Sequence, residues 1–299
     1  MTLGHTVPEI DRVSVDADVM ASFTTESEFT SVAVSLMVET AGYSCIAAGT
    51  LGEKTYWDRD LAAVGGAVVR QYKLLDAFLD QVCKHRDETA MIMARLIYET
   101  TVNIRFFLDS FSKSLVDSYV EHSLRHERKT RDKIQTNIAA RSGVILPIED
   151  RMLNSIGRAE RAAGISLDDV DIRDKRPWGG KNLFEKAKAV GLSDAYSAFF
   201  GGTSHNVHGN WHDIYTNHLN WDETANSFTP KMAWRRPRPQ MVTSLALVVA
   251  ETLNIYFEFI GGDEVSGHFA PKLDDLQRRV FALVDGHEAY LARKKWPAV

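Results

Sequence analysis

The chain has 299 residues, 44% of them hydrophobic, 25% charged and 10% aromatic, with a net charge of −5. It is too apolar for disorder, too charged for a membrane bundle, and too poor in Gly and Pro for a fibre. The mildly acidic balance excludes a protein coated in nucleic acid but leaves room for a local basic groove. A chain of this length buries roughly three quarters of its unfolded surface, enough for one large core. Cys45 and Cys83 lie in helical-looking stretches with no CxxC or Cys/His cluster nearby. Two buried, reduced thiols and a cytoplasmic location are expected.

In chain order, residues 1–27 are polar and acidic, without the basic and apolar regions of a leader, and read as a flexible tail. Residues 31–52 and 241–262 approach membrane-span length. The first contains Glu39 and the second Glu251, Asn254 and Glu258, all costly at a bilayer centre, so no membrane association is expected. From Ala67 to Ser142 there is neither Gly nor Pro, the two residues that most disfavour helix interiors. One helix of that length does not fit a compact domain, so the run must fold back at least twice. The polar clusters at 84–88 and 109–114 are the turning points. Residues 61–82 carry an apolar stripe (Val64, Val68, Tyr72, Leu75, Leu79, Val82) at helical steps. Residues 88–109 are apolar nearly all round, as in a central helix, and 112–140 turn from apolar to charged. Pro147 and Gly164 frame a further helix, and Asn182 with Glu185 forms a capping box for a short one ending at Gly191. Residues 193–208 form another helix. Residues 212–240 form a long connection with scattered aromatics, and 271–294 a last amphipathic helix. With no strand of useful length, the expected fold is all-α: a single multi-helix bundle over 28–299.

Several enzyme classes drop out. Residues 49–55 resemble a P-loop faintly, but Glu53 interrupts Gly-Lys and no strand precedes it. GxGxxG, HExxH and GxSxG are all missing.

Three constellations could carry chemistry. Arg95, Glu99 and Asn103 recur every four residues, a polar stripe within the apolar central helix. It is either functional or a structural ion pair. Four of the ten histidines fall within 205–218. Ser204 and His208 share a helical face, and His208 sits at a helix end where the dipole favours imidazolium. One reading makes His208 an acid/base group working with Arg95 and Glu99. The alternative is a divalent metal on His205, His208, His212 and Asp213. Glu251 and Glu258 offer a carboxylate face for Arg95, the histidines, or basic residues of the long connection. Two basic patches complete the set. Residues 122–133 carry five Lys/Arg against two acids, and Arg235, Arg236 and Arg238 sit beside Trp234. Such clusters hold phosphates or form solvated faces. Three arginines so close repel one another unless acids or an anion sit among them.

Arg95-x3-Glu99, then Pro177-Trp178-Gly179-Gly180-Lys181 leading to Leu183-Phe184-x2-Ala187-x3-Gly191-Leu192, then Tyr196-x7-Ser204-x3-His208-Gly209 resemble a large family of bacterial helical proteins. It is one of the domains of unknown function. The resemblance covers roughly residues 70–258 and implies an all-helical fold with no established activity. The Ser204-to-His208-Gly209 ending is also similar to the HEPN superfamily, many of whose members are metal-independent ribonucleases of toxin–antitoxin and defence systems. In that register the arginine of the HEPN signature falls on Thr203. The resemblance implies a HEPN-like core that binds or cleaves RNA. His208 would then assist the 2′-hydroxyl, Arg95 would stabilise charge, Glu99 would orient Arg95, and Arg235, Arg236 and Arg238 would hold backbone. Expected partners are RNA and a second copy in a homodimer, with no cofactor. The rival is a non-enzymatic accessory module whose polar stripe is structural.

Overall fold

The computed structural model describes residues 8–52 and 54–294, and its fold is all-α with one small hairpin. The first seven residues of the expected tail and Glu53 lie outside the described residues. Helices α1 (Ala17–Ala21), α2 (Glu26–Gly49), α3 (Arg59–Cys83), α4 (Asp87–Asp109), α5 (Lys113–Ala140) and α6 (Pro147–Ala163) come first. Their ends follow from local chemistry. Glu28 Oε2 accepts the Thr25 amide at 2.8 Å, Asp58 accepts from Leu61 N, and Gly164 takes φ 64° behind α6. The Gly- and Pro-free run folds back twice, between α3 and α4 and between α4 and α5.

α2, α3, α4 and α11 (Pro239–Arg293) close into a four-helix ring: α11 packs on α2 and α4, and α3 lies against both of those. Phe29, Leu36, Leu75, Phe78, Tyr98 and Phe257 are fully buried at its centre. α5 and α6 pack together over a smaller cluster of Leu124, Ile134, Ile156 and Leu167. By length and composition α2 and α11 could each cross a membrane. Here their apolar residues fill the ring, and buried Glu39 receives both Arg279 Nη1 and Nη2 at 2.7 Å.

Four expectations are corrected. Residues 8–27 are packed rather than loose: Val13 N donates to Glu39 Oε2 at 2.9 Å, Arg12 pairs with Asp275, and α1 lies on α11. Cys45 and Cys83 are exposed. The two helices expected at 241–262 and 271–294 run on from one another, broken only at Gly262, whose φ 58° and ψ −156° suit glycine alone. The connection at 212–240 holds a hairpin of β1 (Leu219–Asp222) and β2 (Ser227–Pro230), with Trp221 opposite Phe228. Strands of four residues are too short for alternation to register in a sequence.

Candidate nucleic-acid interface

The site lies where residues 193–238 fold over one side of α4. After α7 (Leu183–Ala189) and α8 (Ser193–Tyr196), the helix expected through 208 relaxes into a π-turn at Ser197–Gly202 before α9 (Ser204–His208). α10 (Trp211–Asp213) leads into a second π-turn at Ile214–His218. Such wide turns displace side chains from the regular helical faces and recur at functional sites.

Arg95 and Glu99 do meet, as an i,i+4 pair at 3.0 Å on α4. The Arg95 guanidinium carbon lies 3.9 Å from the centroid of Phe200, and its Nη1 is buried without a hydrogen-bond partner. Tyr196 stacks on Phe200, and burial raises its phenol pKa. Tyr98 packs on Tyr196 and Phe199, so the chain runs antiparallel to α4 here. His208 is eight residues beyond Phe200, on the far side of the π-turn and at the end of α9. It is exposed, and no hydrogen bond or ion pair joins it to Arg95 or Glu99 among the described residues. Ser204 is half-buried at the start of α9. Thr203, in the HEPN arginine position, is buried and donates its hydroxyl to Phe199 O.

The histidines and Asp213 do not assemble as a metal set. His205 Nδ1 faces Asn210 Nδ2 at 2.7 Å, and the His205 and His212 rings lie 4.6 Å apart. Asp213 is buried and accepts from Asn206 and Asn217 at 3.0 and 2.8 Å, with His218 Nε2 at 3.4 Å. Among the described residues no three His, Cys, Asp or Glu are grouped to hold a metal ion.

The carboxylates and arginines sort differently from the sequence expectation. Glu251 pairs with Arg105 of α4 at 2.9 Å rather than with the loop, Arg95 or the histidines, and Glu258 is exposed. On α5, Arg125, Arg128 and Arg131 are bound by Asp174, Asp132 and Asp168, which leaves that patch largely neutralised. Arg235 finds acids too. Its amide donates to Glu88 Oε1, its carbonyl accepts from Asp87 N, and its guanidinium reaches Asn217 Oδ1 at 3.3 Å and Asp87 at 3.6 Å. Arg235 is therefore a latch holding this segment on α4, not a free nucleic-acid contact. Arg236 and Arg238 are exposed and make no hydrogen bond or ion pair among the described residues. Trp234 is half-exposed, with the Arg86 guanidinium 5.5 Å from its ring.

Residues 61–227, more than half of the chain, match DUF5677, a family of unknown function. The chain belongs to that family. No curated protein and no solved structure matches it. The match takes in the Arg95–Glu99 pair, both π-turns and the first hairpin strand, and stops short of the arginine run.

A feature absent from the sequence reading lies next to the latch. Trp211, Tyr215, Trp221 and Phe228 form one cluster, with Phe228 4.6 Å from Trp221 and 5.8 Å from Trp211, and Trp211 6.1 Å from Tyr215. All four are open to solvent, from 37% for Trp221 to 64% for Trp211. Trp211 and Tyr215 share a face four residues apart, and the hairpin brings Trp221 and Phe228 to it. The density of aromatic residues from 211 to 234 was the available signal. The hairpin that gathers them was not foreseen.

Proposed function

We propose that this protein binds single-stranded RNA across the hairpin face, bases stacking on Trp211, Tyr215, Trp221 and Phe228, with Arg236 and Arg238 taking backbone phosphates. The observation that carries it is a cluster of four solvent-open rings joined through Phe228, on the same segment as two arginines that make no ion pair among the described residues. Soluble proteins rarely leave such apolar area uncovered unless something docks there. Stacking platforms flanked by positive charge are how single strands are held without reading sequence. The arginine run supports the same reading: Arg235 takes the direct contacts with Asp87 and Glu88, and among the described residues Arg236 and Arg238 make no ion pair.

Cleavage through Arg95 and His208 receives less support. The Arg95 guanidinium is committed to Glu99 and covered by Phe200, and among the described residues no hydrogen bond orients His208. A protein-docking surface would use the same rings but not the two arginines.

The test is fluorescence anisotropy of a labelled single-stranded RNA, with EDTA present and the RNA checked for intactness. Trp211→Ala and Phe228→Ala each weaken binding by roughly tenfold, within the 1–3 kcal/mol that a stacked base is worth. Arg236→Gln with Arg238→Gln lowers the slope of log K against log salt by about 1.4. Wild-type protein with no salt-dependent RNA binding refutes the proposal. Cleavage in EDTA that His208→Ala abolishes restores the nuclease.

A further inference from the structure

Arg236 and Arg238 do not simply lie on an open surface. With Pro237 they form one wall of a cleft of about 500 Å³. The start of α2 (Thr25 to Ser31, with Val34) and the end of α3 (Val82, Cys83, His85) make the other walls. Pro237 and Pro239 are buried, and prolines have a fixed φ, so the backbone carrying both arginines is held in place. The latch at Arg235 fixes the segment one residue earlier. Two exposed guanidinium groups thus line one space; among the described residues neither makes an ion pair, although Asp87 lies within electrostatic reach of Arg238. One carboxylate, that of Glu26, lines it as well, 3.4 Å from the Nε2 of buried His287. Ser27, Thr30 and Ser31 line the same space, with the Thr30 and Ser31 hydroxyls donated to Glu26 O and Ser27 O.

We propose that this cleft is a terminal-phosphate site: it takes the phosphate monoester at the 5′ end of an RNA or on a free nucleotide, with Arg236 and Arg238 as its cationic wall. A monoester carries up to two charges and three acceptor oxygens, whereas a backbone diester carries one charge, so a paired guanidinium site favours the end of a chain. His85 lines the cleft, and its neighbour Arg86 covers Trp234, the ring nearest in sequence to the two arginines. This inference rests on the RNA-binding proposal for its polymer form and stands without it for the free nucleotide.

Two arms separate the cases. In the first, one single-stranded RNA labelled at its 3′ end is compared as 5′-hydroxyl and 5′-monophosphate. The phosphorylated form binds roughly tenfold tighter, the effect of about one strong charge-assisted contact. Arg236→Gln/Arg238→Gln abolishes that preference, and Trp211→Ala weakens both forms while the preference stays. Equal binding of the two forms, or a preference that survives the double substitution, overturns the terminal-phosphate site while leaving the RNA proposal intact. In the second arm, thermal unfolding is followed with adenosine and with adenosine monophosphate. Even if neither RNA binds, stabilisation by the monophosphate alone, lost in Arg236→Gln/Arg238→Gln, sustains the site as one for free nucleotides. Indifference to both ligands, with no RNA preference, removes it.

Discussion

Lys186 gives the sharpest stability test. The residue is 3% exposed on α7, and its ammonium sits 3.1 Å from the centroid of Trp178, with Phe106 at 5.5 Å. Among the described residues no carboxylate pairs with it. Burial draws its pKa from 10.5 down to about 7. At 1.36 kcal/mol per unit, that sets a ceiling of about 5 kcal/mol on the penalty of keeping the charge. The ring face returns about 2 kcal/mol in a desolvated site, which leaves a net cost of about 2–3 kcal/mol. The sign follows from proton counting. Between pH 7 and 10.5 the unfolded chain holds this proton and the folded chain gives it up, so stability rises with pH across that window. Below it both states are charged and the cost is full. Burial, with Arg125 and Lys186 nearby, also lowers the His122 pKa, but that group acts only below about pH 6.5. Burial raises the pKa of Tyr98 and Tyr256, and these act only above about pH 10. Urea unfolding between about pH 7 and pH 9.5 therefore isolates Lys186, with wild type gaining about 2 kcal/mol. Lys186→Met keeps the packing, starts more stable at neutral pH and is flat. An unchanged pH slope in Lys186→Met refutes the reasoning.

Two further outcomes follow from paired groups. Arg12 first, then Arg279, hold the Asp275 pKa down to about 2, so its contribution is present above pH 3.8 and is lost as pH falls toward 2. Asp275 is partly exposed, so Asp275→Asn flattens only about 1 kcal/mol of the acid limb in a denaturation series. Arg235→Ala removes the guanidinium from buried Asp87 and from Asn217, while the amide at 235 still donates to Glu88. It lowers stability by about 1–2 kcal/mol and makes residues 219–238 more susceptible to limited proteolysis while the bundle stays folded, a cleavage pattern read by mass spectrometry.

The bundle was legible because its signals are local and repeated. The Gly- and Pro-free run, the stripe through Val64, Val68 and Leu75, the Asn182 capping box and the Pro147–Gly164 frame each depend on residues within one or two turns. The candidate site was legible only in its parts. Arg95 and Glu99 are four residues apart, so their pairing follows from helix geometry alone. Whether His208 reaches them depends on the direction of the chain across α4 and on a π-turn, which no periodicity encodes. The same holds for the arginines. Their mutual repulsion is plain in the sequence, but that Asp87 and Glu88 at the distant start of α4 would claim Arg235 is a tertiary fact. The aromatic cluster failed to appear for a different reason: two four-residue strands gather it, too short to be read as strands.

Glu39 and Arg279 connect the core to the N-terminal segment, and they separate two roles a buried pair can play. Glu39→Gln removes a carboxylate whose side chain is 1% exposed and leaves the Arg279 guanidinium with Asp275 alone, which costs about 2–3 kcal/mol. If the pair only joined α2 to α11, replacing both members by apolar groups of similar size would recover most of that loss. Here Glu39 also accepts Val13 N, and Arg279 donates to Val13 O at 2.8 Å, so the pair is the backbone partner of the residues before α1. Glu39→Met/Arg279→Met is therefore expected to restore the bundle's unfolding midpoint while the amides near Val13 lose hydrogen-exchange protection. Restored stability with Val13 still protected would mean that the segment is held by its apolar contacts alone, and that the ion pair serves only to set α2 against α11.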